Sequence, residues 1–242
     1  THVAGIIAGS GGLSSGLYAG IAPASQIVAV KVLDQKGEGK IRFLIEGIKA
    51  ILRNRDKWQI RIVNISIGTL PHQGDEEEME LMRWVDRLWD EGLVVVTAAG
   101  NFGPRSGTVT IPGISKKVIT VGASDDGNQK DRYGKVGTNY SGRGPTSECV
   151  CKPDLVAPGS YIRSCNGFSQ KKNQKAYSVK SGTSMSAPVV SGAVALLLSK
   201  YPDMKNVEVK LRLLMSADDM GKDPNIQGRG LLNIEKLLNP TL

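Results

Sequence analysis

The sequence predicts an α/β fold in which a mostly parallel sheet lies between layers of helix, and three observations carry that expectation. Short β-branched runs alternate with longer stretches of helical period, which is how strands joined by covering helices read. Those runs are nearly continuous in apolar character, as strands buried on both faces require. The 242 residues are 40% hydrophobic and 22% charged, enough to bury an ordinary core without disulfides or metal. They fit a single domain over residues 1–242.

Taken in order, Ile27 to Val32 (IVAVKV) reads as the first strand, followed by a helix with Ile41, Leu44, Ile45, Ile48 and Leu52 on one face. Ile62 to Ile67 (IVNISI) is the next strand, and Leu81, Val85, Leu88 and Trp89 repeat the helical spacing. The acidic run Asp75, Glu76, Glu77, Glu78 opens that second helix as a cap against the positive end of its dipole and is not a metal site. Leu93 to Thr97 (LVVVT) and Val118 to Val121 (VITV) add two buried strands. A third helix begins near Ser184 and runs through Leu197, with Pro188 tolerated in its opening turns. A fourth, from Met204 to about Ala217, follows Pro202.

Composition excludes several classes. The 29 glycines are about 12% of the chain, above the usual share of roughly 7%, but they follow no Gly-X-Y repeat. They point to a turn-rich fold and not to collagen. Lys and Arg number 31 against 23 Asp and Glu, a formal charge of +8. The densest basic stretch, Lys171, Lys172, Lys175 and Lys180, is interleaved with Ser, Gln and Asn and reads as a solvated hairpin tip; no nucleic-acid-binding motif accompanies it. The longest apolar stretch, Ala193 to Leu198, falls far short of a membrane span, and no secretory signal follows Thr1. Cys149, Cys151 and Cys165 are weak as a metal signal. They are either free thiols in a reducing compartment or include a bond from Cys165 to one of the other two.

Two stretches carry chemistry. In Ser181-Gly182-Thr183-Ser184-Met185-Ser186-Ala187-Pro188 a serine opens a helix, where free N–H groups and the dipole stabilise developing negative charge. Such a serine standing alone is an ordinary N-cap. In Val94 to Gly103 (VVVTAAGNFG) a buried strand runs into Asn101, whose amide can be aimed into the crevice at a strand's carboxyl end. Alone it is a turn asparagine.

Together these stretches resemble the serine motif and the oxyanion-hole strand of subtilisin-like serine proteases (peptidase family S8). Thr1-His2-Val3-Ala4-Gly5, Gly20-Ile21-Ala22-Pro23, Val30-Lys31-Val32-Leu33, Ser66-Ile67-Gly68, Lys152 to Gly159 (KPDLVAPG) and Gly228 to Asn233 (GRGLLN) keep the family's order. The resemblance implies a three-layer subtilisin-like fold and a serine endopeptidase that works through an acyl-enzyme on Ser184. Asn101 and the Ser184 N–H would form the oxyanion hole. It also implies that substrate lies as a strand between Gly37-Glu38-Gly39 and Ser66-Ile67-Gly68. The side-chain pocket would be walled by Ala98, Ala99 and Gly100, with Phe102 and Thr110 at its rim or base and Glu38 at the edge favouring basic residues. Against other α/β hydrolases and nucleotide-binding folds stands the lack of Gly-x-Ser-x-Gly around Ser184 and of Gly-Lys-Ser/Thr after Gly9 to Gly16.

The chain departs from the family at its start. The family's catalytic histidine precedes Thr1 in the matching motif by two positions, so His2 takes a structural position and His72 has no family role. The family's aspartate and N-terminal strands lie further upstream. Two alternatives follow: a protease whose Asp and His lie on residues preceding Thr1, so that the 242 residues alone are inactive, or a pseudoprotease that binds peptides or regulates. The resemblance also implies that a strand is missing between Ile27 to Val32 and Ile62 to Ile67, which leaves either a gap there or a strand borrowed from an N-terminal fragment or a second chain. No cofactor is required. Calcium has no clear site, because Gly11 to Gly16 lacks carboxylates and Asp125, Asp126, Asn128 and Asp131 read as turn chemistry. The wording of Val30 to Gly39 and Lys152 to Gly159 is most similar to bacterial members, intracellular ones included. That leaves the compartment open between cytoplasm and secretion.

Overall fold

A computed structural model describes residues 1–127, 139–167 and 175–239. Its central sheet has four parallel strands in the order β1 (Ile62–Ile65), β2 (Val94–Ala98), β3 (Ile119–Ala123), β4 (Leu155–Ala157). Ile62 stands opposite Val94, Val96 opposite Ile119 and Val121 opposite Leu155. β2 and β3 are buried at every position. Their unbroken apolar runs therefore answer to cover on both faces.

That cover comes from two sets of helices. α4 (Thr183–Lys200) crosses β1, β2 and β3 and carries α1 (His2–Ala8) on its flank, while α2 (Ile41–Asn54) and α3 (Glu76–Asp90) pack together, with α3 against β2. α5 (Asn206–Ser216), α6 (Pro224–Gln227) and α7 (Ile234–Leu238) close the end of the chain. Asp75 caps α3, its carboxylate accepting from the Glu78 N–H, with Glu76, Glu77 and Glu78 in the first turn. α4 is apolar nearly all round because it is the inner helix; twelve of its eighteen residues are buried.

Two expectations need correction. Ile27 to Val32 forms no strand: the segment is extended, lacks a ladder partner among the described residues, and leaves Ile27 44%, Val28 43% and Val30 37% exposed. Val30 and Val32 lie over Gly47 of α2, so close that a Cβ there would stand 2.9 Å from Val32 Cγ1. β-branched residues favour a strand only where a neighbour completes the ladder, and here none is in place. β1 is likewise not buried on both faces; only Val63 and Ile65 are covered, because it is the sheet's edge.

Periodicity missed α1 and the three-residue β4, while the hairpin read from the basic stretch is present as the antiparallel pair β5 (Ile162–Cys165) and β6 (Tyr177–Lys180). Lys175 and Lys180 are exposed on that hairpin, whereas Lys171 and Lys172 fall outside the described residues. All three cysteines are free thiols, Cys149 and Cys151 exposed and Cys165 half-buried.

At the amino ends of β3 and β4 a charge is buried. Lys152 is 1% exposed, and its Nζ donates to Val118 O (3.2 Å), Thr120 Oγ1 (2.9 Å) and Asp154 Oδ2 (2.6 Å). Asp154 also takes the Thr120 N–H at 2.7 Å and lies 3.1 Å from Lys210 Nζ. Burying these charges is tolerable because each meets a partner, and the cluster pins β3 to β4 at the end of the sheet away from the cleft.

Candidate active site

Ser184 is the second residue of α4, and the N-cap is Gly182, so the serine is not the cap. Gly182 has φ 143°, a conformation that favours glycine, and a Cβ there would stand 3.1 Å from Asn101 Nδ2. The turn thus requires glycine both for its dihedral and for the close approach of the asparagine. Ser184 Oγ donates to Ser66 O at 2.8 Å.

Asn101 follows the carboxyl end of β2, where open α/β sheets hold their ligands. Its Oδ1 accepts from Thr183 N (2.9 Å) and from Thr183 Oγ1 (3.0 Å), and Thr183 Oγ1 accepts from Gly100 N (3.1 Å). Turning the amide over would set Nδ2 against the Thr183 N–H, donor against donor, so the oxygen is held where it is. Nδ2 is therefore the donor of the amide, and it lies beside Gly182, the N-cap of the helix that carries Ser184.

A cavity of about 530 Å³ joins these residues. Gly37, Glu38 and Gly39 line it, as do Ile67 and Gly68, with Ala98, Gly100, Asn101, Thr183 and Ser184 between them. Phe102, 49% exposed, and Thr110 line it as well. Ala99 does not: it is fully buried behind the wall, its N–H donating to Val121 O and its carbonyl accepting from Thr110 N. Ser66 contributes its carbonyl rather than a wall. Its Oγ accepts from Asn64 Nδ2 at 2.8 Å, and Asn64 Oδ1 accepts from Ser191 Oγ at 2.9 Å, which ties the segment after β1 to α4.

Neither of the chain's two histidines meets Ser184. His2 is 7% exposed, and the Nε2 proton is shared between Ile162 O (3.2 Å) and Ser178 O (3.1 Å) of the β5–β6 hairpin. Burial holds its pKa below the usual histidine value. His72 Nδ1 lies 2.7 Å from Glu78 Oε1, and its N–H donates to Glu78 Oε2 at 2.7 Å. The Glu78 carboxylate raises its pKa, by hydrogen bonding first and charge second.

Among the described residues no group of three or more His, Cys, Asp or Glu is placed to hold a metal, and no helix is long and apolar enough to cross a membrane. Asp125 accepts from Gly159 N (2.8 Å) and Ser160 N (3.0 Å), and Asp126 accepts from Ser141 N (2.9 Å), so both serve the backbone of their turns. Asn128 and Asp131 lie outside the described residues. Sequence reasoning missed Thr183 as the anchor of Asn101. Its position one residue before the serine was the available signal, since a threonine there faces the strand end.

A parallel sheet with a serine and an asparagine amide meeting beyond its carboxyl edge defines an α/β protein with a serine-centred cleft. The chain belongs to the subtilase family of serine proteases, peptidase S8, whose family model matches residues 1–230. It is 42% identical over 249 residues to the serine protease AprX of Bacillus subtilis (strain 168), covering 97% of this chain and 56% of that protein. It is 35% identical over 238 residues to subtilisin NAT of Bacillus subtilis subsp. natto, covering 97% of this chain and 54% of that protein. The chain thus spans about half the length of these two relatives. Among solved structures, the S41 psychrophilic protease superposes with a TM-score of 0.77 at 28% identity, over 96% of this chain and 76% of that one.

Proposed function

We propose that the chain is the larger part of a serine endopeptidase whose nucleophile is Ser184 and whose oxyanion hole is the Asn101 side-chain amide with the Ser184 N–H. The single observation that carries this reading is the locked Asn101 amide. Two donors of Thr183 hold its oxygen, which leaves Nδ2 as the amide's donor on a residue that lines the same cavity as the serine. A donor fixed beforehand where negative charge develops stabilises a tetrahedral intermediate without reorganisation.

In the proposed reaction an extended peptide lies between Gly37–Gly39 and Ser66–Gly68, adding to the backbone on either side. Ser184 Oγ loses its proton to an imidazole and attacks the scissile carbonyl carbon, whose oxygen becomes the oxyanion. Collapse returns the proton to the leaving amine and leaves an acyl-enzyme, which water then hydrolyses. The imidazole and its aspartate are supplied by residues preceding Thr1. In the 242 residues alone the Ser184 hydroxyl spends its proton on Ser66 O, and cleavage is practically absent. Among the described residues the outer edge of β1 is unpaired and Ile27 to Val32 has no ladder partner, which supports a further strand between them, from an N-terminal segment or a second chain. Glu38, at the cavity's edge, favours basic side chains in the substrate.

The test is cleavage of an unfolded polypeptide by the full-length protein. Cleavage is expected and Ser184→Ala is expected to abolish it. Binding of extended peptides with no cleavage under any condition would establish the pseudoprotease alternative instead.

A further inference from the structure

The two donors of the proposed oxyanion hole sit on different turns, and one residue touches the supports of both, by its main chain on one side and its side chain on the other. Gly103 N, two residues beyond Asn101, donates to Tyr140 O at 2.9 Å, and Gly142 N donates to Gly100 O at 2.8 Å. The 140–142 segment therefore brackets the Asn101 turn on either side. The Tyr140 hydroxyl reaches the other turn. It lies 2.9 Å from Ser160 Oγ, in the 159–161 loop whose Gly159 carbonyl accepts from Gly182 N at 2.9 Å and whose Tyr161 N donates to Ser181 Oγ at 2.8 Å. Those two bonds anchor the turn that presents Ser184.

The direction of the chain of hydroxyls follows from counting protons. Ser160 Oγ donates to Asp125 O at 3.2 Å, so Tyr140 donates to Ser160, while the Ser160 and Gly159 amides hold the Asp125 carboxylate. Burial, with Asp125 and Asp126 nearby, pushes the Tyr140 phenol up to about 12. It stays protonated and remains a donor at any working pH.

We propose that Tyr140 is a positioning residue for the oxyanion hole, a strut whose main chain holds the Asn101 turn and whose hydroxyl holds the Ser184 turn. This rests on the protease reading above. Donors must come within 2.7–3.1 Å of the developing oxyanion, and small displacements between two donors cost rate steeply. The Tyr140 bonds run to Ser160 and Gly103 and not to Gly37–Gly39 or Ser66–Gly68, so its hydroxyl bears on turnover and not on holding the substrate strand.

The experiment compares Tyr140→Phe, Ser160→Ala and the double variant with wild type, all as full-length protein. Each single variant is expected to lower kcat about tenfold, with KM within about twofold and Tm within about 2 °C. The double variant is expected to lose no more than the more impaired single one, because each single change already removes the Tyr140–Ser160 bond, while Ser160→Ala also gives up the bond to Asp125 O. Unchanged kcat, a loss carried by KM, or a kcat loss that only tracks a fall in Tm overturns the strut. Should Tyr140→Phe not fold, Ser160→Ala reads the same link from its other end. Wild-type protein that cleaves nothing overturns the protease reading itself, whereas wild type that cleaves alongside an unaffected Tyr140→Phe overturns only the strut.

Discussion

The turns at 100–103 and 181–184 are tied down from several sides, whereas the stretch from Ile27 to Val32 has no ladder partner among the described residues. On the first side Gly100, Asn101, Thr183 and Gly182 each spend polar groups on one another or on the 159–161 loop. On the second, three large apolar side chains of one short run stand more than a third exposed. The difference teaches which parts of the proposed chemistry this chain organises unaided. The proposed nucleophile and oxyanion donors are held by contacts within the 242 residues, while the side that would present a base lacks such ties among the described residues.

The comparison is broken most sharply by amide hydrogen exchange. Amides of residues 27–32 are expected to exchange at least about 10³-fold faster than those of Val95 to Thr97 in β2, which open only with the core. Equal protection of the two segments in the isolated 242-residue chain would show that the open side is closed in solution. Asn101→Ala in the full-length protein probes the closed side. The expected loss in kcat is about 10²–10³-fold, a magnitude established for this family rather than obtained from this chain. An unaltered kcat would detach the asparagine from the reaction.

A smaller effect is expected at the far end of the sheet. Burial lowers the pKa of Lys152 from 10.5 to about 8, outweighing the pull of Asp154 in the other direction. Between those values the unfolded chain holds more protons than the folded one, so this group makes stability rise with pH from about 8 to about 10.5. Below that window the cost of burying the charge is fully present. Urea unfolding of wild type and Lys152→Met across the window should show the difference moving toward wild type by about 2 kcal/mol. A difference that does not change with pH would mean that Lys152 keeps its proton.

Much of this was legible before any coordinates. β2, β3, α3 and α4 follow from runs whose local preference and tertiary burial agree, and Ser184 and Asn101 from motifs that need a strand end and a helix start. Ile27 to Val32 was misread because its residues suit a strand whose neighbour is missing, and ladder pairing is not a local property. Sequence adjacency puts Ala99 on the pocket wall beside Ala98 and Gly100, but it is fully buried and stands outside the cavity lining. Tyr140 could not be found at all from spacing. Its role depends on contacts 20 residues away at Ser160 and on a turn more than 30 residues earlier.

The central claim is that Ser184 stands in a finished oxyanion site but lacks a base within these residues. Its most direct measurement is the rate at which a fluorophosphonate labels Ser184 in the purified 242-residue chain and in the full-length protein. Rapid labelling of the full-length protein with little labelling of the 242-residue chain is the expected result. Equally rapid labelling of both would contradict the account, because the serine would then be activated by groups already within residues 1–242.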